Sequence, residues 1–189
     1  EQKTFHAALV KIAIPVTLQS LLQSSFSVVD QIMTGQLGST SIAGIGLGSK
    51  FSSVFSVLVS AIAAVAGIMI AQYLGKKDNR EVGRSFYINL IMALLLAVVF
   101  TCLSCFFPLQ IMGMYTKDAL TKEVAANYLR ILGLSYIPIA ISSLLSTLFR
   151  CREAATLPLY STILTAILNT GLNYVLIFGK FGFPELGVV

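Results

Sequence analysis

The sequence predicts an all-α membrane protein, five transmembrane helices with the amino terminus in the cytoplasm. Three observations carry that expectation. Of 189 residues, 56% are hydrophobic and only 11% are charged, with a mean hydropathy of +0.85. That is too little charge to cover a soluble domain of this length. Apolar runs recur at the length that crosses hydrocarbon, about 20 residues at about 1.5 Å each through a core about 30 Å thick. The basic residues gather in the short connections between those runs.

The first helix is expected over 8–34, because Ile12 to Met33 is interrupted by Asp30 alone. Pro15 removes a backbone hydrogen bond inside that run and predicts a bend. Gly35-Gln-Leu-Gly38-Ser39-Thr40 closes the first connection, with Ser39 or Thr40 placed to cap the second helix, 41–74. In that helix Phe51 to Leu74 carries no charge. Gly44, Gly46 and Gly48, with Ala61, Ala64 and Gly67 further on, would let neighbouring backbones approach closely. Gly75-Lys-Lys-Asp-Asn-Arg80 turns the chain into a third helix, 83–107, within an uncharged run from Phe86 to Met114. The segment 108–122 mixes Met112, Met114 and Tyr115 with Lys117, Asp118 and Lys122, which suits an interfacial piece. A fourth helix is expected over 124–149, bent at the central Pro138. Arg150 to Pro158 forms the last connection, and Pro158 suits the first turn of a fifth helix, 157–178.

With alternating spans, eight Lys and Arg residues fall on the amino-terminal side and five on the other, out of 13. The positive-inside rule therefore puts the amino terminus in the cytoplasm, as a multi-pass protein of the plasma (inner) membrane. The same dispersal argues against a nucleic-acid partner, which needs a gathered basic face. Cys102, Cys105 and Cys151 are odd in number and sit in or beside apolar runs, against a disulfide framework. His6 stands alone, so neither a metal site nor a catalytic triad can be assembled around it, and no enzyme is expected. No cofactor is expected either. The opening Glu1-Gln-Lys lacks a methionine and Leu186-Gly-Val-Val189 reads as the start of another apolar run, so the chain is expected to be part of a longer one.

A charge in hydrocarbon costs about 3 kcal/mol on insertion scales, so an intramembrane carboxylate is a functional candidate. Asp30 is the only acidic residue in the five runs, about 7.5 Å below the Gly35 end of its helix. Either it reaches outward to water or it serves a site. Asn169 and Asn173 lie four residues apart on one face of the fifth helix, with Asn173 near the depth of Asp30. One carboxylate and two carboxamides are the oxygen donors that Na⁺ or a proton-bearing site requires; equally, the asparagines would serve as interhelical glue. Gln23 and Ser27 precede Asp30 by seven and three residues and would line the same cavity. Lys50, inside the second helix, either snorkels outward or pairs with Asp30.

These residues resemble the multidrug and toxic compound extrusion family. The resemblance runs through Ile12-Ala-Ile-Pro15, Val29-Asp30, Gly35-Gln-Leu-Gly38, Ile42-Ala-Gly-Ile-Gly-Leu47 and Ala71-Gln-Tyr-Leu-Gly75. It continues through Tyr128-Leu129, Pro138, Leu148-Phe-Arg150 to Pro158, Asn169-Thr-Gly-Leu-Asn173-Tyr-Val-Leu-Ile-Phe-Gly179 and Gly182-Phe-Pro-Glu-Leu-Gly187. It implies two pseudo-symmetric six-helix lobes, of which the chain supplies five helices of the amino-terminal one. It also implies export of bulky, often cationic drugs in exchange for Na⁺ or H⁺ by alternating access. The partners so implied are the bilayer, small organic cations and a carboxy-terminal lobe of the same chain. Asp30 falls on the coupling acid, Asn169 on its polar partner, and Asn173 where some relatives carry a second aspartate. The only metal implied is Na⁺ at Asp30.

Two other readings are weaker. A lipid-linked oligosaccharide flippase of the same superfamily would line its cavity with several cations, whereas Lys50 alone stands within the core of a span. A non-transporting scaffold would need no acid at depth.

Overall fold

In this computed structural model the chain is described over residues 2–35 and 39–177, with the backbone alone described over 2–9, 11, 30–31, 33–35, 170 and 172–177. Seven helices follow one another, with no strand among the described residues: α1 (Gln2–Gly35), α2 (Ser39–Gly75), α3 (Asn79–Phe106), α4 (Pro108–Gly113), α5 (Ala119–Gly133), α6 (Tyr136–Cys151) and α7 (Thr156–Ile177). The stretch Ile12–Val29 of α1, all of α2 and all of α3 are each long and apolar enough to cross a membrane. Helices α5 and α6, bent by 50°, make a further span if taken together. The expected fifth helix, 157–178, is matched as a helix by α7 through Ile177; residue 178 lies outside the described residues. At 37 residues α2 would be about 55 Å long, so it must tilt or project beyond the hydrocarbon.

The expected fourth helix, 124–149, is corrected in two respects. Its first part begins earlier, at Ala119, where the Asp118 carboxylate caps the helix by accepting from the Thr121 amide at 2.9 Å. The span is also two helices rather than one. Pro138 has no amide hydrogen to give to the Leu134 carbonyl and its ring crowds that group, so the helix fails one turn upstream. Leu134 and Ser135 bond instead to Ile131 and Leu132 in tighter three-residue turns. The Gly133 carbonyl at this break accepts from the Thr101 hydroxyl at 2.9 Å. Helix α1, by contrast, continues unbroken through Pro15.

The chain divides into two compact units. One holds α2 to α5 and most of α6. Its core joins Phe51, Phe55 and Phe100 to Tyr136, with ring centroids 4.5 Å apart for Phe55–Tyr136 and 5.3 Å for both Phe51–Phe100 and Phe55–Phe100. Phe51 also packs on a second cluster of Met112, Ala125, Ala126 and Leu129, which docks α4 onto α5. The segment expected to be interfacial is thus anchored by Met112, while Met114 is 87% exposed.

Glycine sets the distance of α2 from α5. A Cβ at Gly44 would stand 2.8 Å from Val124 Cγ1 and one at Gly48 would stand 2.6 Å from the Tyr128 ring. Gly46 faces open space, so only two of the three glycines make the close approach. Further along α2, Ala63 and Ala66 are buried whereas Ala61 and Ala64 are exposed. Across α2 and α3, Asn89 donates to the Ser85 carbonyl at 2.9 Å and contacts Met69 Sδ at 3.8 Å.

Helices α2 and α6 end alike. After α2 the Asp78 amide returns to the Tyr73 carbonyl and the Lys77 amide to Leu74; after α6 the Ala154 amide returns to Phe149 and Glu153 to Arg150. Both are Schellman endings, whose left-handed residue is normally glycine. Here Lys77 and Glu153 occupy it, at φ of 58° and 57°.

The second unit consists of α1, the end of α6 from Ser146, and α7. Its described buried side chains are few and small: Pro15 and Gln19 on α1, with Ala155, Pro158 and Ala166 around the start of α7.

Candidate functional site

The second unit contains a polar chain that crosses three helices. Gln19 is 6% exposed, an amide buried among apolar neighbours. Its Oε1 accepts from Arg150 Nη2 at 3.0 Å, and its Nε2 donates to Thr162 Oγ1 at 3.1 Å. The Thr162 hydroxyl passes its own hydrogen to the Pro158 carbonyl at 3.0 Å. Every link therefore donates in one direction, from the guanidinium through the amide and hydroxyl to a backbone oxygen. Arg150 Nε is also buried, with no partner among the described residues. A buried polar group left unpaired costs about 1–3 kcal/mol, so the bonds that Arg150 does make matter more than a surface contact would.

Local sequence explains why these groups meet. Arg150 lies in the last turn of α6, whose Schellman ending turns the chain directly into α7. Pro158 starts α7 without an amide to satisfy, and its carbonyl is four residues before Thr162, the position a helical threonine reaches back to. Among the described side chains of α1, Ile12, Pro15, Val16, Gln19, Leu22 and Phe26 are the buried or half-buried ones, mostly three or four residues apart, and they form one seam.

That seam carries a register. Asp30 is eleven residues beyond Gln19, and Asn173 is eleven residues beyond Thr162. Eleven residues are about three turns, or about 16 Å, so each position returns to the helix line of the residue it follows. Both lie within helices, at backbone positions of α1 and α7, and their side chains fall outside the described residues. Asn169, Gln23 and Ser27 are described and exposed. Lys50 is exposed on α2.

Sequence reasoning missed Gln19, Thr162 and the buried role of Arg150, which was expected in a basic connection. Gln19 gave a weak signal as an amide one turn before Gln23. Arg150 follows the uncharged run Ile131–Phe149 without a break, and that adjacency was the available clue. Asn89 was likewise an amide inside an uncharged run and is 7% exposed in the structure. Among the described residues no group of His, Cys, Asp and Glu could hold a metal.

Residues 15–175 match the MatE family. The chain is 32% identical over 178 residues to a probable multidrug resistance protein NorM of Streptococcus pneumoniae R6, covering 94% of this chain and 39% of that protein. It is 32% identical over 185 residues to a protein of the same description from Rhizobium meliloti, covering 98% and 39%. Its fold is similar to that of a MOP superfamily transporter from Pyrococcus furiosus, with a TM-score of 0.86 at 22% identity over 96% of this chain and 40% of that one. The chain therefore spans about two fifths of the length of the curated relatives it matches.

Proposed function

The chain belongs to the MatE family, and on that premise we propose that it forms part of the amino-terminal lobe of a membrane exporter that exchanges Na⁺ or H⁺ for drugs or other organic cations. The register of Asp30 and Asn173, each three turns beyond a bonded pair of residues, is the observation that carries this reading. If α1 and α7 run in the same sense, as alternation of five spans requires, the carboxylate and the carboxamide stand at one level. Asn169 lies one turn back from Asn173 on α7.

Asp30 would take the coupling cation, with the asparagine oxygens completing a Na⁺ shell or holding the protonated carboxyl by hydrogen bonds. A cation bound there neutralises a charge that low-dielectric surroundings disfavour, and so stabilises whichever arrangement of α1 buries it. An organic cation competes for the same carboxylate, or favours the opposite arrangement. Either way the two ligands are coupled reciprocally, which is all that exchange requires. Pro15 weakens α1 by one backbone hydrogen bond and is the place where that helix would flex. The amino terminus lies in the cytoplasm on this reading, from the eight-to-five split of basic residues. No covalent chemistry is involved.

The test is efflux of a fluorescent organic cation from proteoliposomes holding the full-length protein, under Na⁺ and pH gradients imposed separately. Asp30→Asn should lower cation-driven efflux by roughly tenfold or more. Efflux unchanged in both gradients would remove Asp30 from the mechanism.

A further inference from the structure

The Arg150–Gln19–Thr162 chain is not used by the mechanism just given, yet it is the described polar contact that ties α1 to both neighbouring elements of its unit. We infer that Gln19 is a positioning residue: by bonding Arg150 and Thr162 at once it fixes the sliding register of α1 against α7, and through it the gap between Asp30 and Asn173. The inference rests on the proposed cation site.

Three features support it. The first is placement, since Gln19 and Thr162 stand the same number of residues before Asp30 and Asn173, and helices transmit an axial displacement along their length. A slip of one residue at Gln19 moves Asp30 by about 1.5 Å, enough to disrupt a close shell of oxygen ligands or a hydrogen bond to the carboxyl. The second is directionality. Gln19 accepts with its oxygen and donates with its nitrogen, so it can satisfy Arg150 and Thr162 together in one orientation only. The third is the setting. Among its described residues the unit has few large buried apolar side chains to define a register by shape, and between helices in lipid hydrogen bonds and close packing take that role.

The chemistry of substitutions follows. Glu at position 19 keeps an acceptor for Arg150 and gains its charge, but has no hydrogen for Thr162. Met keeps the length and removes both bonds. Thr162→Val is nearly isosteric and removes one link while leaving Arg150 paired.

The experiment uses the full-length protein in proteoliposomes and reads two quantities, the maximal rate of organic-cation efflux and the coupling-cation concentration (Na⁺ or H⁺) giving half that rate. A residue with a merely structural role would lower the amount of folded protein and the maximal rate without moving the midpoint. The inference predicts that Gln19→Met and Thr162→Val each shift the midpoint at least threefold, and that Gln19→Glu shifts it less than Gln19→Met. If Gln19→Met does not fold, Thr162→Val alone decides. A midpoint unmoved in Thr162→Val overturns the inference. Asp30→Asn is measured alongside: if it retains cation-driven efflux the proposed site itself fails, whereas its loss with an unmoved Thr162→Val midpoint rejects only the positioning role.

Discussion

The two units of the chain are held together by different physics. In the unit of α2 to α6 the contacts are matters of shape: three phenylalanines and a tyrosine interlock, and Gly44, Gly48 and Gly133 remove side chains where helices touch. In the unit of α1 and α7 a line of hydrogen bonds from Arg150 to Pro158 links the described helices. Apolar surface gains nothing by leaving lipid for another helix, so membrane helices associate by close packing or by polar links. Close packing resists displacement in every direction, because a small shift forfeits many contacts at once. A hydrogen-bonded line has few contacts, and the order of its donors and acceptors sets the register instead. The comparison teaches where each register comes from: side-chain shape in the packed unit, donor–acceptor order in the polar-linked one.

The strongest attack on this contrast is steric. Replacing Gly44 and Gly48 together by alanine forces Cβ atoms against Val124, the Ala125 backbone and the Tyr128 ring. Overpacking at each site costs about 1–3 kcal/mol, so the pair should lower stability by about 3 kcal/mol, measured by thermal unfolding in detergent. Gly46→Ala, which meets nothing within 4 Å, should be close to neutral and serves as the control.

A subtler attack removes polarity from the packed unit. Tyr136 shares a hydrogen bond with Ser52 at 2.8 Å while its ring packs against Phe55, tilted by 42°. Tyr136→Phe keeps the ring, and should cost only about 1 kcal/mol in the same unfolding measurement. A loss well beyond that would mean that the packed unit too depends on directional bonds.

How far this division could be read from the sequence depends on the kind of signal. Apolar length pointed to α2, α3 and α7 as helices, from uncharged runs such as Phe51–Leu74. Pro138 pointed to a bend, but the break falls one turn upstream, because proline disrupts the helix at the carbonyl it cannot serve. Of the small residues in α2, composition could not tell Gly44 and Gly48 from Gly46, or Ala63 and Ala66 from Ala61 and Ala64. That distinction depends on the azimuth at which α5 and α3 pack. The proposed site was suggested by polar residue types at matched spacing, and the side chains of Asp30 and Asn173 lie outside the described residues. Its supporting contact was not legible, because Gln19, Arg150 and Thr162 are 131 and 143 residues apart along the chain in their two bonded pairs.

The smallest effect lies at the rim of the packed unit. Hydrogen bonds from the Thr121 side chain and amide hold the Asp118 carboxyl below its usual range. A folded-state pKa that is lowered contributes fully above the ordinary carboxylate value and is lost as pH falls through the lowered one. Acidification should therefore speed amide exchange at the first turn of α5, Thr121 above all, and leave the α2–α5 contact unchanged. Asp118→Asn should remove that pH dependence while keeping a weaker cap.

The central claim is the register of α1 against α7, and cysteine pairs in the full-length protein test it most directly, with Cys102, Cys105 and Cys151 replaced. Cysteines at positions 30 and 173 should cross-link readily under mild oxidation, and those at 30 and 162, about 16 Å apart along the helices, should not. Efficient cross-linking of 30 to 162 with none of 30 to 173 would contradict the account.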